Sequence, residues 1–457
     1  MPLGLYISVP FCRTKCSYCN FASDVFSKSA YENYVARLLE DIANSRQHAS
    51  ELRGTLGGTF DDTTDSIYLG GGTPSLLKAA QLLRIFAAVR NQFAVASDAE
   101  ITVECAPGTL TPALIETLRQ CGVNRVSLGV QSFVDREAQS VGRLHTRSTV
   151  LEEIRRLREA GLANISIDLI AGLPHQTPES WAFSVAETIA TGVPHVSVYM
   201  LEVNDDSRLG RELIAGGARY HAHFVPDDDA TADSYQQACE MLAAAGIAQY
   251  EISNFARVDL GPQNSELQNN ESRHNLKYWT RQPYLGFGVD AHSMLAADHY
   301  SPEGCRAVRF ATPDSLDAYM NRGPHTVTPV SPQAAIEESF FLGLRLNRGV
   351  DLERLRAESG LWEGHDFGRA TNAANKTALA AELNRGPQEE FGRLTAAPWE
   401  SAINQCVHDG LVDRQGTTLR LTARGRLLSN EVFARFLAEE TKETKETKVG
   451  TGHVNPR

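Results

Sequence analysis

Apolar and polar positions alternate along this chain in one repeating unit. Leu3 to Val9 is a short apolar run that reads as a strand. Tyr31, Tyr34, Val35, Leu38, Leu39 and Ile42 then recur at helical spacing, which predicts an amphipathic helix over Ser29–Gln47. A polar, glycine-bearing insert, Gly54 to Asp65, precedes a second strand at Ser66–Leu69 that runs into Gly70-Gly71-Gly72-Thr73-Pro74. The unit then repeats. Helix Lys78–Asn91 leads to strand Glu100–Glu104, and helix Thr111–Gln120, with Thr111 as N-cap and Pro112 at its first position, leads to strand Arg125–Val130. Helix Ser148–Ala160 leads to strand Asn164–Ile170, and a helix capped at Thr177-Pro178 and running to Thr191 leads to strand His195–Leu201. Glycines 122, 161, 192 and 246 follow helix ends, as C-caps do in a βα repeat. Such alternation predicts a parallel sheet curved into a whole or partial barrel, with its working face at the C-terminal ends of the strands.

Beyond residue 202 the rhythm fades. Asp205 to Asp229 reads as a long polar loop holding His221 and His223, followed by a helix to Ala245 and a strand at Ala248–Ile252. Gly261 to Arg273 is polar enough to serve as a lid or hinge, and it leads into His274-Asn275-Leu276-Lys277-Tyr278-Trp279. Near the C-terminus, a helix at Trp399–Asp409, a hairpin of Leu411–Arg414 with Thr418–Leu421, and a closing helix from Ala423 to Glu440 form a winged-helix-like pattern. Ala373–Ala396 has no assigned place, and Thr441–Lys448 is low-complexity and expected to be disordered. The expected fold is α/β, a partial (β/α)6 barrel with a C-terminal winged-helix-like α+β domain. Its expected divisions are residues 1–255 for the barrel, 256–335 for a connecting segment, 336–440 for the C-terminal domain and 441–457 for a tail.

Composition narrows the class. A chain of 457 residues, 42% apolar, can bury a substantial core. It holds no apolar run long enough to cross a membrane, and its N-terminus lacks the basic and apolar regions of a secretory signal, so the cytoplasm is expected and a peripheral membrane contact stays open. A formal charge of −12 argues against nucleic acid as a partner, and the arginines of the small wing read as a solvated or docking face. Of eight cysteines, five are scattered singly, as buried reduced thiols are.

The other three are Cys12, Cys16 and Cys19, directly after the first strand. Their spacing is too tight for pairing among themselves, and a structural zinc site wants a fourth nitrogen or sulfur ligand. Three thiolates suit a [4Fe-4S] cluster whose fourth iron keeps an open position. Gly70–Thr73 offers unhindered backbone groups at the next strand end, where a ligand could approach or where a tight turn could form.

These segments together resemble the radical S-adenosylmethionine superfamily, and within it the oxygen-independent coproporphyrinogen III oxidase group. The residues that carry the resemblance are Tyr6–Cys12, Gly70–Pro74, Val103-Glu104, Arg125–Phe133, Gly142–His145 and Asp168–Pro174, in that order. The resemblance implies that Cys12, Cys16 and Cys19 bind the cluster and that S-adenosylmethionine chelates its open iron. Gly71, Gly72 and Thr73 would hold the methionine end, Tyr6 and Tyr18 would flank the cluster and cofactor, and Glu104, Gln131, Arg143 and Asp168 would meet the cofactor's polar groups. A small electron-donor protein is the implied source of electrons.

Two departures separate the chain from the oxidase. The oxidase has a fourth cysteine where this chain has Phe21, and it carries an N-terminal extension ahead of the first strand, which here begins at Leu3. The hexapeptide at His274 is instead similar to that of the haem-chaperone branch, HemW, in which the histidine is associated with haem; Tyr278 and Trp279 could pack on a porphyrin and Lys277 meet a propionate. The same six residues also read as a capped helix whose aromatics belong to the core. His292 is a second histidine candidate. The expected function is therefore a haem chaperone that passes haem to an acceptor protein, with the oxidase, or a radical enzyme acting on haem, as alternatives.

Overall fold

The computed structural model describes residues 1–54, 63–257, 270–296, 305–359 and 397–437. The βα repeat predicted from periodicity is present. β1 (Leu3–Val9), β2 (Thr63–Gly71), β3 (Ala94–Cys105), β4 (Arg125–Gln131), β5 (Ile165–Ala171) and β6 (His195–Met200) lie side by side in sequence order and pair parallel throughout. Helices α1 (Lys28–Gly54), α2 (Ala79–Gln92), α3 (Pro112–Gln120), α4 (Asp135–Ser140), α5 (Arg147–Glu159) and α6 (Pro178–Thr191) connect them. Leu5, Ile7 and Val9 of β1, Val126, Leu128 and Val130 of β4, and Ile165, Ile167 and Leu169 of β5 are buried, as strands covered on both faces must be. The caps read from sequence also hold: Thr111 accepts from Leu114 N, with Pro112 opening α3, and Thr177 and Ser180 form a reciprocal box on α6.

The sheet is wider than the six-strand repeat. β7 (Ile247–Gln249) and β8 (Asn254–Arg257) form an antiparallel pair beyond β6, with residues 250–253 as their turn where sequence suggested one strand. On the opposite flank β9 (Tyr284–Phe287) runs parallel to β1, and β10 (His292–Ala296), β11 (Ala307–Ala311) and β12 (Thr326–Val330) extend the sheet antiparallel to twelve strands. These added strands have three to five residues each, too few for their periodicity to stand out. Gly286 of β9 is required by packing, because a Cβ there would lie 2.2 Å from the carbonyl oxygen of His292.

The loop expected over Asp205–Asp229 contains α7 (Arg208–Ala215), capped by Ser207, and a single 3-10 turn at Ala222–Phe224; α8 (Asp228–Ala244) follows. α9 (Arg273–Trp279) is the helix that carries the hexapeptide, and Ser272 caps it. The proposed lid at Gly261–Arg273 falls mostly outside the described residues, as do Ala373–Ala396 and Thr441–Lys448. Among the described residues no helix is long and apolar enough to cross a membrane.

The described residues fall into two compact units, one chiefly Met1–Glu338 and the other built on Ser339–Leu344 and the described residues between Arg348 and Leu437. In the second unit the expected hairpin is present, Val412–Gln415 with Thr418–Leu421, and Val350–Asp351 joins it as a third strand. The single closing helix of the sequence reading is two, Ala423–Leu427 and Ser429–Arg435, because Leu428 leaves helical geometry at φ −103° and ψ 29°.

Candidate functional site

The cysteine loop leaves β1 at its C-terminal end and is pinned from several sides. Phe11 bridges to Asp24, Cys12 N donates to Asp24 O at 2.9 Å, and Ser17 N donates to Val141 O at 3.1 Å. Thr14 Oγ1 donates to Gly142 O at 2.9 Å, while Leu209 N of α7 donates to Ser17 O at 2.9 Å. None of the three cysteines is in a disulfide, and all are partly buried. Burial pushes the Cys12 thiol up, and Cys19 and then Cys16, whose charges would oppose its own, push it further, while Ser23 and Thr73 pull it down. Three thiolates gathered in this way call for a cationic centre between them. Three sulfur donors on one short loop fit the three protein-ligated irons of a [4Fe-4S] cluster.

The glycine run packs against this loop. Gly72 N donates to Val9 O at 2.8 Å and Thr73 N to Phe11 O at 2.7 Å, so both amides expected to serve a ligand are engaged by the backbone of β1 and the loop. A Cβ on Gly72 would lie 2.7 Å from Phe11 O, which makes glycine obligatory there for internal packing. Thr73 Oγ1 is 4.0 Å from Cys12 Sγ. Gly71, at φ +99°, directs its N–H to Glu104 Oε2 at 3.1 Å, and Tyr68 donates to Glu104 Oε1 at 2.8 Å.

The remaining predicted groups come from successive strand ends. Asp168 on β5 accepts from Ser127 Oγ at 3.0 Å and 3.2 Å. Gln131 ends β4 at φ +70°, just past the register shift opposite β5. Its amide nitrogen and the Arg143 guanidinium both crowd Gly129, where an added Cβ would meet them at 3.2 and 3.1 Å. Burial works against the charge on Arg143, but Tyr18, Cys16 and Cys19 outweigh it and hold its pKa up. Burial raises the Tyr68 hydroxyl, with further pushes from Glu104, Asp168 and Tyr199, a sign that these groups face one interior. Tyr18 packs beside Val141, Ile170, Leu173, Tyr199 and Leu201. Two buried atoms there have no hydrogen-bond partner, Gln131 Oε1 and Arg143 Nε, one an acceptor and one a donor. A ligand with hydroxyls, a carboxylate and an amine meets that demand, so the donor set fits S-adenosylmethionine.

Sequence reasoning missed Tyr68, Ser127 and Tyr199 here. The signal available for each was its place in an inward-facing strand register, and strand register does not separate a ligand contact from core.

The hexapeptide is placed differently from what its resemblance implied. His274 is 1% exposed, with Nδ1 3.0 Å from Ser66 Oγ and Nε2 2.9 Å from the Tyr278 hydroxyl, so neither ring nitrogen is open to an iron. Burial, and then Lys277, pull its pKa down to about 3. Its ring stacks with Tyr68 at 5.4 Å and Tyr6 at 6.4 Å. Lys277 is equally buried, bound to Pro2 O at 2.9 Å and Asp65 Oδ1 at 2.7 Å, while Trp279 lies under Arg345 at 4.3 Å. The motif is a core helix that braces β1 and β2 beneath the site. His292 is exposed and stands 3.7 Å from Asp290.

The model of the Radical SAM superfamily matches residues 6–186, and that of the HemN C-terminal domain matches 330–363. The chain is 30% identical to the heme chaperone HemW of Bacillus subtilis over 95% of its own length and 99% of that relative's. It belongs to the HemW family of radical SAM proteins. The HemW of Lactococcus lactis is also 30% identical, over 96% of this chain and 98% of its own, and that of Escherichia coli is 33% identical over 64% and 70%. Among solved structures, the coproporphyrinogen III oxidase (HemN) of Escherichia coli shares the fold, with a TM-score of 0.70 at 22% identity over 95% of this chain and 90% of that one. Membership of the superfamily implies a [4Fe-4S] cluster and S-adenosylmethionine.

Proposed function

We propose that this protein is a haem chaperone that carries a [4Fe-4S] cluster with S-adenosylmethionine and delivers haem to an acceptor protein in the cytoplasm. The observation that carries the reading is near-complete coverage of HemW relatives at 30% identity, together with Phe21 where the oxidase has its fourth cysteine. Cys12, Cys16 and Cys19 hold the cluster, which when bound supplies single electrons from a small donor protein. Glu104 accepts hydrogen bonds from Tyr68 and Gly71 and is fixed as an acceptor. Asp168 is oriented by Ser127 in the same way. Arg143 places its positive charge beside Tyr18 and the thiols and offers Nε to the cofactor, while Gln131 offers Oε1. Tyr6 and Tyr18 flank the two groups, and the run Gly71-Gly72-Thr73 shapes the floor.

The test is anaerobic reconstitution of the full chain, followed by iron and sulfide analysis, haem titration and a coproporphyrinogen turnover assay. Four irons per chain, haem binding and no turnover are expected. Turnover without haem affinity would replace this reading with the oxidase. In Cys12→Ala the four-iron complement should be lost, and a full cluster in that variant would remove the triad from its proposed role.

A further inference from the structure

With both nitrogens of His274 engaged inside, an imidazole ligand for haem has to come from elsewhere, and the described residues bring three histidines together in one place. His175 follows β5 in the Gly172–Gln176 turn, His221 caps the 3-10 turn after α7, and His223 lies within that turn. The three rings surround Phe224, with centroids 4.0 Å from it for His175 and His223 and 6.3 Å for His221. His175 and His221 both sit at positive φ, +68° and +61°, a backbone conformation that costs energy in a residue with a Cβ. Their imidazoles meet, with His175 Nε2 3.3 Å from His221 Nδ1.

The tautomers follow from Arg136. Its Nη2 lies 3.3 Å from His175 Nδ1, and a guanidinium only donates, so that nitrogen accepts and the neutral ring carries its proton on Nε2. The proton is then shared with His221 Nδ1. His223 stands outside this relay with an exposed ring. Burial, then Arg136 and the two neighbouring histidines, pull the His175 pKa down, which keeps that ring a neutral one.

The surroundings suit a flat, amphipathic, anionic molecule. Phe224 is 45% exposed, and α7 turns Leu213 and Ile214 outward, the latter 69% exposed. α7 is tied to the histidine segment through Glu212, which accepts from Tyr220 N at 2.8 Å and Ala222 N at 3.1 Å. Arg136, against His175, and Arg219, two residues before His221, are exposed cations that can meet carboxylates. A bare divalent ion would need three or more ligands, whereas the facing nitrogens of His175 and His221 are spent on each other. Haem iron has four positions filled by the porphyrin and asks the protein for one or two nitrogens.

We propose that His175, His221 and His223 with Phe224 form the haem-docking site, and that His223 supplies the axial ligand. This rests on the haem-chaperone reading. An exposed ligand also suits a carrier, because an acceptor's own ligand can reach the iron from the open side. The site shares its end of the sheet with the cysteine loop, since α7 also donates to Ser17 O.

The experiment titrates hemin into the reconstituted wild type, His223→Ala, and the variant with all three histidines changed to alanine, reading the Soret band, stoichiometry and low-spin signals. Iron content and the thermal midpoint without hemin serve as the checks that each variant keeps its cluster and its fold. The wild type is expected to bind one haem per chain, with affinity at least tenfold weaker in His223→Ala and lost in the triple variant. A loss seen only in the triple variant would support the site and move ligation to His175 or His221. Wild-type affinity in the triple variant would overturn the proposal while leaving the chaperone reading standing. Wild-type protein that binds no haem would overturn the reading itself.

Discussion

His274 shows how one residue type acquires opposite meanings. Its sequence context, a histidine ahead of lysine, tyrosine and tryptophan, permitted both an iron ligand and a capped core helix, and only the partners of its two nitrogens distinguish them. Buried neutral histidines have a consequence in acid. His274 has its folded pKa pulled down to about 3 and His145, by burial and then Arg143, to about 4, whereas an unfolded histidine takes up a proton near 6.5. The unfolded state therefore binds more protons as pH falls, so the stability present above pH 6.5 is lost progressively towards pH 4. Unfolding free energies from urea titrations should be lower at pH 5 than at pH 7.5 by roughly 1 to 2 kcal/mol for each such histidine, and His274→Gln should flatten that dependence. At neutral pH the same variant should cost about 2 kcal/mol, because Ser66 and Tyr278 are left without their buried partner.

Among elements, β1 and β2 were the most legible, since an apolar run ending in the cysteine loop and another ending in three glycines set strand, direction and working face together. What sequence left open was which neighbour needed the glycines. Gly72 answers to Phe11 O and Val9 O, so a methyl group there pushes on the backbone that carries Cys12. Gly72→Ala should lower the thermal midpoint, at a cost of roughly 1 to 3 kcal/mol, and reduce iron loading below four per chain even though no ligand is altered. Unchanged iron content and midpoint would show that the β1–β2 contact yields freely. The short flanking strands β9 to β12 were illegible for a physical reason: their partners lie far along the chain, and four or five residues carry too little periodicity to reveal them.

For the whole molecule, the chaperone reading makes stability depend on cargo. A ligand that binds only the folded chain raises its stability by about 2.7 kcal/mol at a free concentration one hundred times Kd. The thermal midpoint should therefore climb with hemin concentration in the wild type and stay flat when the three histidines are replaced. A midpoint indifferent to hemin in the wild type would contradict haem binding to the native state. Fold class was read correctly from the βα rhythm because many elements agree, while the candidate site depends on side-chain partners that rhythm does not encode.

The parallel seam between β1 and β9 also bears on how the protein is made. Tyr6 pairs with Gly286 as well as Tyr68, and Lys277 reaches back to the carbonyl of Pro2. During synthesis β1 therefore has its second edge covered only once the chain has reached Tyr284–Phe287. Until then the thiols hang from a strand supported on one side only. Stable iron loading is accordingly expected only once synthesis has passed Phe287.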